Sequence, residues 1–232
     1  MRHTSCVLGL LVVLTGCANP ATRPIPAVYA EPAELVLPVP EGYCQLSKSH
    51  PADLDLLATW EEAQRPRNRV LAVFADCDEL DDYRAQGIPT THHGGYMAPA
   101  SADGRRVLMS RPQFVAQMAD VLRSQGLPVA AIEAEAKQTI QRVAPEIELQ
   151  DMVQLGLLRV DDDAAYLGVL QRWHYGPGET EVLAVVTGLT LVRGQVVSVT
   201  VAAPYENEGT VERVLAMQQG NVQRLVAANP DA

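Results

Sequence analysis

Thr180–Ala203 reads TEVLAVVTGLTLVRGQVVSVTVAA. Thr180–Val192 is long and rich in β-branched residues, and Arg193-Gly194 suits a tight turn. Gln195–Ala203 returns with Val197, Val199 and Val201 on one face and Ser198 and Thr200 on the other. A period of two on the return strand, after a two-residue turn, predicts an antiparallel hairpin. Just upstream, Ala165–His174 predicts a further strand, closed by Gly176-Pro177-Gly178. Leu155–Val160 predicts another, with Asp161-Asp162-Asp163 as the intervening turn. Downstream, Thr210–Ala228 places Val211, Val214, Leu215, Val222 and Leu225 at helical spacing, with Gly220 weakening the middle.

The preceding half reads differently. His50-Pro51 opens a helical pattern through Gln64, with Leu54, Leu57 and Ala58 on one face. Arg69–Ala75 (RVLAVFA) is a short apolar run that fits a buried strand. Asp76 and Glu79 stand at the spacing of a helix N-cap and its N3 partner, predicting a short helix through Arg84. Gly87–Arg105, with its glycines, prolines and a His-His pair, reads as the longest loop, and Arg106–Met109 as a short strand. Ser110 and Pro112 start a helix to about Ser124, stopped by Gly126; Pro128 starts a second, ending before Pro145. Together these elements predict an α+β fold, in which an antiparallel sheet with a C-terminal meander packs against helices in one domain.

The chain has 232 residues, 28 acidic and 18 basic, for a formal charge of −10. With 47% hydrophobic residues this is a globular composition. The acidic balance argues against nucleic acid as a partner, because phosphate binding needs a basic surface. Four cysteines are too few for a disulfide-built scaffold.

Cys6–Gly16 (CVLGLLVVLTG) is an apolar run behind a short start carrying Arg2. It is too short to span a bilayer as a helix and has the length of a signal-peptide hydrophobic region, the alternative being a buried helix. The run ends Leu14-Thr15-Gly16-Cys17. These four residues resemble the lipobox of bacterial lipoproteins. The resemblance implies a signal peptide over residues 1–16, cleavage before Cys17, and diacylglycerol and palmitate-type acyl chains on that cysteine. An ordinary secretory signal with Cys17 as a bystander is the other reading. Two or more acyl chains anchor stably without spanning. Ala18, where an inner-membrane sorting signal would have aspartate, points by the same resemblance to the outer membrane and the periplasm. No later stretch reaches the length of an apolar transmembrane helix.

Residues 17–42 follow as a lipidated, proline-rich tether, with Pro20, Pro24, Pro26, Pro32, Pro38 and Pro40, and residues 43–232 as the periplasmic domain. The alternative is that Ala33–Val39 packs along the domain. Cys44 and Cys77 remain after the signal is removed. In an oxidising periplasm such a pair reads as a disulfide; a redox or metal pair, or two buried thiols, are the alternatives. Residues 155–228 resemble the PsbP-like or Mog1-like domains in their hairpin-connected antiparallel sheet and final helix. That resemblance implies a non-catalytic binding or assembly accessory.

His92-His93 is a weak metal candidate, because adjacent residues in an extended segment point to opposite sides. A polar surface loop explains it as well. Asp76, Asp78, Glu79, Asp81 and Asp82 form an acidic cluster that a calcium site or a solvated first helical turn explains, and Asp161–Asp163 reads as a turn. Trp173, His174 and Tyr175 form either a binding platform or core packing. No catalytic or nucleotide-binding motif is present, and the sequence implies no cofactor. The expectation is therefore a membrane-anchored, non-catalytic envelope module with a protein partner. A carrier of a small apolar ligand or lipid is the first alternative and an envelope hydrolase the second.

Overall fold

A computed structural model describes residues 25–126, 129–145, 147–175 and 180–230. In chain order the elements are β1 (Ala27–Tyr29), β2 (Tyr43–Gln45), α1 (Pro51–Gln64), β3 (Asn68–Asp76), α2 (Cys77–Gln86), β4 (His93–Pro99) and β5 (Arg105–Val107). After them come α3 (Arg111–Gln125), α4 (Val129–Val143), β6 (Glu148–Val160), β7 (Ala165–His174), β8 (Thr180–Val192), β9 (Gln195–Pro204) and α5 (Glu208–Ala228). Seven strands form one sheet in the order β2-β3-β4-β9-β8-β7-β6, and β1 and β5 pair as a separate ribbon. Every pairing is antiparallel. The fold is α+β, with β6 to β9 as the C-terminal meander.

Local signals set several of these boundaries. Asp76 accepts the Asp78 and Glu79 N–H groups at the start of α2, and Ser110 with Gln113 forms a capping box on α3. Arg193 and Gly194 both take positive φ, 49° and 77°, which suits the twist of a two-residue hairpin between β8 and β9.

The two faces of the sheet are covered by different helices. Phe74, Tyr96, Val186, Val199 and Val201 meet Val214, Val222 and Leu225 of α5. On the other face Leu167, Leu189 and Leu191 meet Phe114, Val115 and Met118 of α3. Val169, Leu183 and Val185 meet Ile132 of α4, and Val73 and Ala75 meet Leu57 of α1 and Leu80 of α2. Each buried Val, Leu, Ile, Phe or Met side chain among them contributes roughly 1.5–3 kcal/mol.

Two expectations need correction. Gly87–Arg105 is not one loop, because His93–Pro99 forms β4, hydrogen-bonded between β3 and β9 in the middle of the sheet. A Cβ on Gly94 would overlap the Thr200 carbonyl oxygen and lie 2.6 Å from the Phe74 ring. The glycine is thus a close-approach residue inside a strand rather than a sign of a turn. β6 begins at Glu148 rather than Leu155, and bulges interrupt its pairing with β7 at three places.

From Ile25 onward the proline-rich stretch sits on the domain. Ile25 packs on the α3 cluster, and Leu35, Leu37 and Val39 pack on the α5 side of the core. Tyr96 donates its hydroxyl to the Pro38 carbonyl at 2.5 Å, and Gln195 donates to the Ala33 carbonyl at 2.6 Å. Of the two readings of Ala33–Val39, packing along the domain is the one the structure has. Cys17, the lipobox, Pro20, Pro24 and Gly176-Pro177-Gly178 lie outside the described residues. Among the described residues no helix is long and apolar enough to cross a membrane.

Candidate functional site

The cysteines, His92, His93 and the Trp173–Tyr175 segment gather at one end of the sheet, where β4 and β8 start, β7 ends and α2 begins, while Asp161–Asp163 lies at the other end of β7. Cys44 of β2 and Cys77 of α2 form a disulfide, with Cα atoms 4.9 Å apart and a sequence separation of 33. Closing a loop of that size stabilises the fold by about 3–4 kcal/mol in the chain-entropy model. The bridge fixes the first turn of α2 to the edge of the sheet, and Cys77 N–H adds a bond to the Gly42 carbonyl at 3.1 Å.

Glu79, in the first turn of α2, faces the residues leading into β4. Its Oε2 accepts the Thr91 N–H at 2.6 Å and the His92 N–H at 2.8 Å. Its Oε1 accepts the Thr91 hydroxyl at 3.0 Å and lies 2.6 Å from His92 Nδ1. Burial alone would raise the Glu79 carboxyl, but the His92 ring and the two backbone N–H groups outweigh it and hold it at about 2. The Glu79 carboxylate in turn raises His92 above its ordinary value, against the effect of burial.

Around this pair stand further titratable groups. Burial raises Glu181 of β8, with a contribution from Glu79. Tyr175 is raised by burial first and then by Glu181 and Glu79. Tyr43 is pushed up to about 12 by burial, with Asp76 and Glu79 adding to it. Glu181 and the Glu79–His92 pairing were not singled out in the sequence. The pairing joins residues thirteen apart across an apparent loop, and Glu79 has a sufficient local role as a helix N3 residue.

His93 turns away from His92. Its Nδ1 lies 3.1 Å from the Thr90 carbonyl, and its ring meets Trp60 edge to face at 5.6 Å. Burial lowers its pKa. The two histidines therefore do not converge. Among the described residues no group of three or more His, Cys, Asp or Glu side chains is placed to hold a metal ion.

The acidic cluster is divided among separate tasks. Asp76 caps α2, Glu79 binds Thr91 and His92, and Asp81 pairs with Arg84 at 3.2 Å. Asp161 accepts the Asp163 and Ala164 N–H groups within its turn, and Asp163 pairs with Arg111 at 3.1 Å. Trp173 packs against the α4-side cluster and stacks on Tyr175 with centroids 6.5 Å apart. His174 Nδ1 lies 3.5 Å from the Thr180 hydroxyl.

The hydrogen bonds of the His92 ring fall on Nδ1. A histidine acting as a general base needs one ring nitrogen on an orienting carboxylate and the other on the nucleophile. Here Glu79 and Thr91 both meet Nδ1, and the Thr91 hydroxyl donates to Glu79. The arrangement is a latch between α2 and β4, with Thr91 turned away from Nε2. No protein-family model matches this chain, and no curated protein matches it.

Proposed function

We propose that the chain is a membrane-anchored envelope lipoprotein whose domain is a non-catalytic binding or assembly module facing the periplasm at the outer membrane. The lipobox Leu14-Thr15-Gly16-Cys17 supports the anchoring, and the Cys44–Cys77 disulfide is consistent with an oxidising compartment. The observation that carries the binding-module half is the Glu79–His92–Thr91 arrangement. Glu79 joins α2 to the residues leading into β4 through Thr91 and His92 Nδ1, and the Thr91 hydroxyl, the one nearest His92, is engaged by Glu79.

The carrier reading has one specific observation in its favour. A cleft of about 350 Å³ opens where β2 leaves β3, lined by Leu46, Leu57, Leu71 and Val73 together with Ser47 and Lys48. That volume is at the small end of ligand sites.

Native mass spectrometry of the mature chain, extracted from membranes, tests the proposal. The expected mass is that of the chain from Cys17 with its acyl groups, less two hydrogens for the disulfide, with nothing else bound. A mass without lipid overturns the anchoring. A copurifying metal or small molecule overturns the binding-module half and favours the hydrolase or the carrier.

A further inference from the structure

The β1–β5 ribbon carries exposed apolar side chains that the fold does not use. Tyr29 is 84% exposed, Leu108 54% and Val28 43%. Pairing sets Val28 opposite Arg106 and Tyr29 opposite Arg105, while Leu108 N–H reaches the Pro26 carbonyl at 2.8 Å. Val28 and Leu108 are thus neighbours on one face of the ribbon, and Tyr29 lies at its end on the other.

Arginines surround these residues. Arg105 lies over the Tyr29 ring, 5.7 Å from its centroid. The Arg106 stem runs across Gly194, where an added Cβ would be 2.5 Å from Arg106 Cγ, and Arg193 beside that glycine is tied back to the Glu34 carbonyl at 3.1 Å. Asp103, the nearest acid along β5, is engaged by Arg69 at 3.2 Å, and Glu31 follows two residues after Tyr29. Two exposed arginines side by side, Arg105 and Arg106, stand out at this edge in a chain with a net charge of −10. Guanidinium groups match phosphate oxygens with paired hydrogen bonds, and tyrosine and arginine both place an apolar body and a polar end at a lipid–water boundary.

The position of the ribbon along the chain supplies the occupant. Ile25, the first described residue, is seated on the domain and is eight residues on from Cys17. Eight residues reach at most about 28 Å when fully extended. A lipid on Cys17 therefore keeps this edge within about one small-domain diameter of the bilayer.

We infer that the β1–β5 ribbon is a membrane-contact surface that enters edge-on, with β1 outermost, so that Val28 and Leu108 from one face and Tyr29 from the other reach the headgroup layer while Arg105 and Arg106 meet lipid phosphates. This rests on the lipid-anchored reading above. The test uses the full mature lipidated chain carrying Tyr29→Trp, in phosphatidylethanolamine–phosphatidylglycerol vesicles with or without brominated acyl chains. Wild type supplies the background from Trp60 and Trp173. The added emission should fall at least twofold in brominated vesicles, and adding Val28→Ser with Leu108→Ser should abolish most of that quenching while the protein still floats with the vesicles. Flotation with unquenched emission would overturn the contact and leave the anchoring intact, assigning the ribbon to solvent or a protein. Failure to float, with no lipid mass on Cys17, overturns both.

Discussion

Asn229, just beyond α5, treats Val36 as a neighbouring strand would. Its Oδ1 accepts the Val36 N–H at 2.8 Å, and its Nδ2 donates to the Val36 carbonyl at 2.7 Å and to the Leu225 carbonyl at 2.8 Å. One amide thus closes the end of α5 and fixes a segment 193 residues earlier in the chain. Asn229 is buried while Val36 is exposed, so water can replace the amide at Val36 but less readily at Leu225. Asn229→Leu should lower stability by about 1–3 kcal/mol in urea unfolding. It should also open residues 33–39 to protease in the folded protein. Unchanged cleavage there would mean that Tyr96 and Gln195 hold the segment without it.

Gly94→Ala should be among the most damaging single changes, at roughly 3 kcal/mol or more, because the new methyl meets the Thr200 backbone and the Phe74 ring together. Flexible side-chain ends could yield, but a carbonyl within a central ladder cannot. Gly95→Ala should be destabilising too but less so, since it meets a single backbone atom, the Ala72 carbonyl oxygen, at 2.8 Å and its next contact lies at 3.7 Å. A calorimetric melt of the two variants distinguishes them; equal melting temperatures would contradict the geometry.

The same glycines explain where the sequence was hard to read. Helix starts at Asp76 and Ser110 and the turn at Arg193-Gly194 depend on contacts within a few residues, so they were legible. β4 was not, because its glycines answer to Thr200 and Ala72, far away in the chain, and both faces of the strand are buried, which removes any alternation. β6 hid its start for a different reason: its bulges break the period of two before Gly156. The candidate site was half legible. The cysteine pair is legible by type, whereas the sequence singles out His92 only as a metal candidate beside His93; its bond to Glu79 needs α2 folded against the start of β4, and the nearness of Glu181 needs β8 in the same sheet.

The latch between α2 and β4 should respond to pH in two opposite directions. Glu79 is held at about 2, so its contribution is present above the ordinary glutamate range and is lost as pH falls through that folded value. His92 is raised, so its contribution is present below the ordinary histidine value and is lost as pH rises through the raised one. Asp76 and Glu181 face His92 as well and act in the same sense. The latch is therefore strongest in mildly acid solution, between the two ordinary values, about pH 4.3 to 6.5. An NMR titration of His92 should show its pKa fall in Glu79→Gln. A value unmoved by that change would assign the raised pKa to Asp76 and Glu181 instead.

Asp53 shows how α1, α2 and the turn before α1 are tied together by one buried carboxylate. It is fully buried, accepts the Ser47 N–H at 2.7 Å, and takes Arg84 side-on through Nε at 2.9 Å and the terminal nitrogen at 2.7 Å. The Arg84 hydrogen bonds lower its pKa first, against the cost of burial. Asp53→Asn keeps the shape but leaves one oxygen: at the Oδ2 position it forfeits the bond from Arg84 Nε, and at the Oδ1 position it forfeits those from Ser47 and the Arg84 terminal nitrogen. Arg84 remains partly exposed and can be hydrated, which places the cost near the lower end for a broken buried pair, about 2–3 kcal/mol. Because the native pKa is depressed, the deficit relative to wild type should be full at pH 7 and shrink as pH falls through the Asp53 folded value. Urea unfolding of both proteins at pH 7 and pH 3 measures this. A deficit that stays constant across that range would mean that the side chain stabilises by shape and hydrogen bonding alone, without its charge.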